Sequence, residues 1–573
     1  MYTAPLKDIQ AALWHMVDAG RLAETERFTE ATAETAGAVL NEAGRLAADQ
    51  IAPTNRAGDL EGARLENGVV RTSPGFKEAY GKIAEGGWVG MTADPDFGGM
   101  GLPVSFQAAL TEMLAGANMA LSLCPILSQG AIETLQHYGT PEQKRVYLPK
   151  LTSGVWNGTM NLTEPQAGSD VGALRTKATP NGDGTYEITG QKIWITWGDS
   201  DVVENVVHLV LARLPDAPKG SAGVSLFLVP KFIPDADGAP GVANALQTIS
   251  LEHKLGIHGS PTCVMAYDGA TGWLIGEENQ GLACMFTMMN NARLAVGLQG
   301  VGVAEAATQQ ALAWANDRIQ GRTPKGSGPI INHADVRRMV ITMRAMTQAA
   351  RAVCYECAVN LDLAVAAATP EDRAAAESRA AFLTPLAKGF GTDVGNEVAH
   401  MGVQVHGGSG YVEETGAAQH ERDVRITTIY EGANGIQAMD LIGRKLADGG
   451  VAARAYLEEV ATLGAALAGG PNADIGLALS KAAQDAEAAT QWMLEADMTD
   501  RGAGAAAYAR LMALTAGAKG LVKAAIGSNE PSRLALARFF ALAILPETNA
   551  LRTMATLGAD GLYALSPEDL ATA

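Results

Sequence analysis

Three segments of the chain carry residue types that do chemistry in combination. Residues 160–170, MNLTEPQAGSD, place Pro165 and Gly168 where a turn can form. The Thr163 and Ser169 hydroxyls, with nearby main-chain N–H groups, suit an anion or the edge of a heteroaromatic ring. Residues 192–197, KIWITW, read as a half-buried strand with Trp194 and Trp197 on one face and Thr196 between them. Residues 429–437, IYEGANGIQ, set Glu431 beside glycines at the head of a helix. There the carboxylate is either a helix N-terminal charge favoured by the dipole or a base that takes a proton. Taken singly, a loop, a packed strand and a helix start account for all three.

Other chemistries find little support. No strand–GxGxxG–helix unit and no GxxxxGK[ST] occurs, and Gly407-Gly408-Ser409-Gly410 lacks the phosphate-loop lysine. The nine histidines show no metal spacing; His253 and His258 flank a Gly-rich turn and read as structural, so no metal is expected. Cys354 and Cys357 form a C-x-x-C without a second pair. Five cysteines in so long a chain imply reduced thiols in a cytosol-like compartment. With 43 Lys+Arg against 62 Asp+Glu, the net charge of −19 argues against nucleic acid or an anionic membrane as partner. The N-terminus has no apolar core and carries Asp8 and Asp18, unlike a signal peptide. No run of about 18 apolar residues is expected to span a membrane. The last residues are not a peroxisomal address, and the expected location is a bacterial cytoplasm.

The elements that must position these segments divide the 573 residues. An N-terminal extension covers 1–35. Apolar positions at three- and four-residue steps predict helices over 36–158. Short β-branched and aromatic runs, with the turn Asn181-Gly182-Asp183-Gly184, predict a small antiparallel β domain over 159–280. The helical period returns over 281–448, and an Ala-rich helical extension follows over 449–573. One β module between helical blocks makes the fold class α+β, not a βαβ alternation.

In this order, the segments resemble the acyl-CoA dehydrogenase family over nearly the whole chain. GGWVGMTADPDFGGMGLP, LTEPQAGSD, KIWIT, EHKLGIHGSPTC, MNNARL, DRIQGR, VQVHGGSGY and IYEGANGIQ carry the likeness. It implies a helical N-terminal domain, a central antiparallel β-barrel domain and a C-terminal helical bundle, here with the extra helical extension. It also implies bound FAD, an acyl-CoA substrate, an electron-transfer flavoprotein as acceptor, and a homodimer or homotetramer. By the same resemblance Leu162, Thr163, Gly168, Ser169, Trp194 and Thr196 hold FAD, with Ala433 and Gly435 beside it. Arg318, Gln320, Gln404, Gly407 and Gly408 match positions that reach the FAD of a neighbouring subunit. Glu431 stands at the place of the catalytic base, and Ser169, Arg293 and Gly432 lie on the substrate side. Two departures stand out: Ala433 replaces the family's usual Thr, and Gly321 replaces a frequent Phe.

The proton α to a thioester is weakly acidic, so its removal needs a positioned carboxylate and a polarised carbonyl. A partly desolvated Glu431 gains the raised pKa this requires. Its main-chain N–H, with a flavin ribityl hydroxyl, suits the thioester oxygen, and hydride passes from the β carbon to the flavin. YTAPLKDI, the MNNARL and DRIQGR variants and the C-terminal extension look closest to the branch acting on 3-methylmercaptopropionyl-CoA in dimethylsulfoniopropionate breakdown. The alternative is a general short- or medium-chain acyl-CoA dehydrogenase. A flavin-containing nucleic-acid-binding protein on the same scaffold needs a basic face that −19 does not favour.

Overall fold

The computed structural model describes residues 2–324 and 326–572. The first block holds α1 (Leu6–Ala11), α2 (Ala33–Arg45), α3 (Asn55–Glu61), α4 (Phe76–Glu85), α5 (Val104–Tyr138) and α6 (Pro141–Thr152). It is not wholly helical as expected: β1 (Arg64–Glu66) and β2 (Val69–Arg71) form an antiparallel hairpin between α3 and α4. Asn67 and Gly68 turn it with φ of 51° and 78°, the left-handed pair that a two-residue hairpin demands. α5 is two helices joined at a kink, because Asn118 leaves helical φ/ψ and its side-chain oxygen accepts from Leu121 N at 3.1 Å. By length and composition α5 is apolar enough to cross a membrane, which the sequence reading did not expect. Its window is nevertheless wholly buried within the protein. Ser, Gln, Asn and Gly interrupt the apolar run there without adding charge.

The β region contains β3 (Trp156–Asn161), β4 (Lys177–Pro180), β5 (Tyr186–Thr196), β6 (Asn205–Ala212), β7 (Ser225–Pro230), β8 (Phe232–Pro234), β9 (Pro240–Ala243), β10 (Leu246–Leu251) and β11 (Thr262–Ile275). Seven of these run β3-β6-β7-β11-β5-β4, with β10 also on β11. One expectation is corrected: the sheet is not purely antiparallel, since β3 pairs β6 in parallel from Trp156–Asn205 to Asn161–Val210. A parallel bridge, Lys177–Arg213, ties β4 back to the end of β6. β11, fourteen residues long, joins the two halves by pairing β5 and β10 early and β7 late.

After β11 come α7 (Gly281–Asp317), α8 (Ala334–Ala366), α9 (Pro370–His406), α10 (Ala417–Val424) and α11 (Asn434–Asp440). α7 and α9 touch backbone to backbone: a Cβ on Gly300 would fall 2.1 Å from Gly391 O, and one on Gly297 2.5 Å from Ala387 O. Arg351 of α8 reaches Glu112 of α5 at 2.6 Å and Glu305 of α7 at 2.9 Å, all three buried. Arg344 extends this network to Asp8. The extension holds α12 (Val451–Leu467), α13 (Ala473–Glu495), α14 (Met498–Ser528), α15 (Pro531–Phe539), α16 (Glu547–Ala555), α17 (Asp560–Tyr563) and α18 (Pro567–Thr572). α14 packs on α8, and the N-terminal stretch packs on both: a Cβ on Gly520 would meet Ala352 and Met16. The two chain ends thus cover one side of the bundle together.

Candidate active site

Glu431 lies in the loop between the turn Arg425–Thr428 and α11. Its φ is 55° and that of Gly432 is 86°. A left-handed glutamate costs on the order of 1–2 kcal/mol and persists where the surroundings fix it. Gln437 Nε2 fixes it here, donating to the carbonyls of Glu431 and Gly432 at 3.3 Å each. A side chain at Gly432 would be strained by its φ of 86° and would displace Gln437 Nε2, which its Cβ would approach to 2.7 Å. α11 begins at Asn434, capped by Ala433. Glu431 therefore stands ahead of the N-cap and outside the helix's first turn.

Among the described residues no hydrogen bond and no ion pair within 4.0 Å reaches the Glu431 carboxylate, and its main-chain N–H is likewise unengaged. Burial pushes its pKa up to about 7, against the pull of Arg293 and Lys388. Lys388 of α9 is fully buried and donates to Asn434 Oδ1 at 2.8 Å. Desolvation brings its own pKa down to about 8, with Glu431 and Asp393 opposing. Asn434 in turn donates to Asp393 at 2.7 Å and Thr392 at 3.0 Å. Arg293 of α7 lies 3.8 Å from Asp440, and its Nε is buried without a hydrogen-bond partner among the described residues. The result is a carboxylate with a raised pKa, in the field of two cations that do not bond it.

Leu162 and Thr163 follow β3 and are tied to β5. Ile193 N donates to Thr163 O at 2.9 Å, and Lys192 Nζ donates to Leu162 O at 2.9 Å. The two tryptophans do not share a face. Trp194 is 59% exposed, whereas Trp197 is buried, stacks on Phe76 and donates to Ala120 O at 3.2 Å. The two are three residues apart, which a strand of period two sets on opposite faces; the strand is also bulged here, Ile193 and Trp194 together opposing Val264, and both tryptophans have positive φ. Thr196 is half-buried, and Gly168 and Ser169 are exposed. A Cβ on Gly168, Gly407 or Gly408 would meet nothing within 4 Å.

Arg318, Gln320, Gln404, Gly407 and Gly408 are all exposed and gather at another place. The ends of α7 and α9 meet there, where Trp314 stacks on His406 at 5.2 Å. Gln404 lies sixteen residues beyond Lys388 on one helix, about 24 Å along its axis. These residues therefore stand apart from the base of their own chain, while Arg293, Gly432, half-buried Ala433 and exposed Gly435 surround it.

Sequence reasoning missed Lys388, Gln437 and Gln299. Tyr430 donates its hydroxyl to Gln299 of α7. A signal existed for two of them: Lys388 and Gln299 are lone polar residues in apolar helical runs, FLTPLAKGF and LAVGLQGV. Glu164 and Glu413, the other carboxylates near these motifs, are committed elsewhere. Glu164 pairs with Lys192 at 2.9 Å, and Glu413 with Arg422 at 2.8 Å.

Comparison with known proteins supports the same reading. The N-terminal, middle and C-terminal domain profiles of acyl-CoA dehydrogenase match residues 33–155, 159–270 and 279–447. The chain is 51% identical over 466 residues to a 3-methylmercaptopropionyl-CoA dehydrogenase of Ruegeria pomeroyi, covering 80% of this chain and 79% of that one. It is 37% identical over 461 residues to a butyryl-CoA dehydrogenase of Syntrophomonas wolfei, covering 78% and 75%. An acyl-CoA dehydrogenase of Bacillus anthracis, solved in complex with FAD, superposes with a TM-score of 0.73 over 93% of this chain and 90% of its own, at 21% identity. The last likeness is one of fold. Together with the profiles and the two relatives, it places this chain in the acyl-CoA dehydrogenase family.

Proposed function

We propose that the chain oxidises the short thioether 3-methylmercaptopropionyl-CoA to its α,β-unsaturated thioester, a step in dimethylsulfoniopropionate breakdown, with Glu431 as the base. The observation that carries the chemistry is Glu431 itself: a strained, pinned carboxylate with no bonding partner and a pKa near 7. The 51% identity to the Ruegeria enzyme supports the thioether over a plain hydrocarbon chain. The butyryl-CoA dehydrogenase relative favours the second reading, a general short-chain enzyme.

FAD is the family's cofactor, and this chain has room for it. The Trp194 indole is exposed and the space above Gly168 is open, which suits a flat ring and a pyrophosphate; the open backbone at Gly407 and Gly408 stands apart from them, on the side that would face a neighbouring subunit. Leu162, Thr163, Gly168, Ser169, Trp194 and Thr196 would hold it, with Ala433 and Gly435 beside it. Arg318, Gln320, Gln404, Gly407 and Gly408 would complete the site of a neighbouring subunit, which makes the protein a dimer or a dimer of dimers. Bound FAD supplies the two-electron acceptor for the β carbon, and an electron-transfer flavoprotein then takes the electrons.

The chain's own residues do the rest. Ionised above about pH 7, Glu431 accepts the α proton at its carboxylate. Its unengaged main-chain N–H donates to the thioester oxygen and stabilises the developing enolate. Arg293 and Lys388 favour the ionised base without neutralising it by contact. Ser169, Arg293 and Gly432 line the substrate side. The divisions 1–35, 36–158, 159–280, 281–448 and 449–573 describe the working units.

Flavin reduction by a thioester panel tests the reading. The expected order puts 3-methylmercaptopropionyl-CoA first, with butyryl- and valeryl-CoA within about 10–200-fold. A kcat/KM for octanoyl-CoA tenfold or more above the thioether makes the general dehydrogenase the better reading.

A further inference from the structure

Lys388 is a buried ammonium on α9 that acts on the Glu431 carboxylate yet forms no ion pair with it among the described residues. Opposite charges that have both lost water gain by closing to hydrogen-bonded contact, so something holds these two apart. The only hydrogen bond of the Lys388 ammonium among the described residues runs to Asn434 Oδ1, at 2.8 Å. Asn434 is the first residue of α11, three positions beyond the base on the same loop. Its amide can offer the oxygen to Lys388 only while its nitrogen is engaged elsewhere. That nitrogen donates to Asp393 Oδ1 at 2.7 Å and to Gly389 O at 3.2 Å, both on α9. A flipped amide would set its N–H groups against the ammonium and its oxygen against those two acceptors. The orientation is therefore fixed from both ends.

The charged groups facing the base are Arg293 of α7 and Lys388 of α9. Those facing Lys388 are Glu431, Asp393 and Arg293. Asp393 in turn faces Glu397, Lys388 and Arg510 of the C-terminal extension, and Arg510 closes on Glu397 at 2.5 Å and on Glu547 at 2.6 Å. Of the two carboxylates that attract Lys388, Glu431 pulls harder than Asp393. A Lys388 released from Asn434 therefore closes on the base. A carboxylate in contact with an ammonium is a weaker base, because the contact favours its ionised form. We propose that Asn434 is a positioning residue that holds Lys388 off Glu431, so that the base stays unpaired in the field of a cation it does not touch. This rests on the reading of Glu431 as the base given above.

The test is the acid limb of the kcat/KM profile of the FAD-loaded enzyme, with 3-methylmercaptopropionyl-CoA and butyryl-CoA in parallel. Asn434→Ala removes the acceptor, and the limb is expected to move to lower pH by about one to two units, the effect of an opposite charge brought into contact. At pH 8 kcat is expected to fall about three- to tenfold, since a base of lower pKa takes the proton less readily. In a Lys388→Met background the same substitution is expected to leave the limb where Lys388→Met alone puts it, above the parent. A limb that stays in place or rises in Asn434→Ala overturns the proposal, as does one that falls equally far without Lys388. An amide that only packs would lower activity without moving the limb. If Asn434→Ala fails to fold with flavin, Asn434→Ser, whose hydroxyl sits one bond nearer the main chain, decides by the same limb. A Glu431→Gln enzyme that stays active fails the base reading itself, whatever Asn434→Ala does.

Discussion

Glu164 and Glu431 are two carboxylates with little access to water and a buried lysine close by, and they end at opposite extremes. Burial pushes Glu164 upward, but the charge of Lys192 and several hydrogen bonds outweigh it and bring its pKa to about 2. Five donors supply those bonds: Lys192 Nζ, Gln166 Nε2, the main chains of Arg175 and Thr176, and the Thr176 hydroxyl, at 2.6–3.0 Å. Glu431 receives none, and the same physics leaves it near 7. Nearby positive charge is common to both, since Arg293 and Lys388 act on Glu431; what Glu431 lacks is a cation in contact and the hydrogen bonds that come with it. A satisfied carboxylate builds the loop that carries Leu162 and Thr163; an unsatisfied one is free to take a proton.

The largest break in this contrast is Glu431→Gln. The amide keeps shape and loses the basic lone pair, so kcat should fall about 10²–10⁴-fold while flavin binding persists. Stopped-flow flavin reduction reads the loss, and activity within a few-fold of the parent would place the base elsewhere. Glu164→Gln should do the reverse, leaving the chemistry intact in whatever protein folds and attacking the fold. It strands Lys192, buried and without its counter-ion. Breaking one side of a buried pair costs about 3–5 kcal/mol. Denaturant unfolding with flavin release as the second signal measures it, and a loss below about 1 kcal/mol would make the pair incidental.

The order of helical block, β region and helical block was legible because the period of apolar residues changes where the elements change. The hairpin at 64–71 was legible too, through Asn67-Gly68, but it sits in a region read as helical throughout. The shared face expected for Trp194 and Trp197 ran against the strand period itself, which sets residues three apart on opposite faces; what local pattern did not announce was the bulge at Ile193 and Trp194 and the two positive φ values. Glu431, Arg293 and Gly432 were singled out by motif. Their setting was not, because it is made by pairs distant in sequence, Lys388 with Asn434 at a separation of 46 residues and Tyr430 with Gln299 at 131. Nothing in local pattern announces those meetings beyond a lone polar residue in an apolar run.

Lys388→Met sharpens the role of charge without contact. Lys388 favours the ionised form of Glu431, so its removal should raise the pKa of the base further. Activity requires the ionised base, so the acid limb of the kcat/KM profile should move to higher pH, by about one unit. Lys388→Arg should restore part of the shift. A limb that stays in place would mean that solvent screens Lys388 from Glu431.

The smallest expected effect is on stability, and its sign differs between the two carboxylates. Glu431 has a folded pKa of about 7 against an ordinary 4.5, so the fold prefers it protonated. Its favourable contribution is present below pH 4.5 and lost as the pH rises through 7. Glu431→Gln cannot ionise, and it should therefore melt above the parent at pH 8, by about 1–3 °C for a protein of this size. The gain should fade as the pH falls from 7 to 4.5. Glu164 runs the other way: with a folded pKa near 2 it stabilises above pH 4.5 and loses that contribution as the pH falls through 2. The deficit of Glu164→Gln should accordingly be full at neutral pH and shrink in acid. Melting temperatures of both variants against the parent across pH 2–8 draw the two curves. A Glu431→Gln variant that melts below the parent at pH 8 would mean that the ionised carboxylate is bonded after all, and the contrast with Glu164 would then fail.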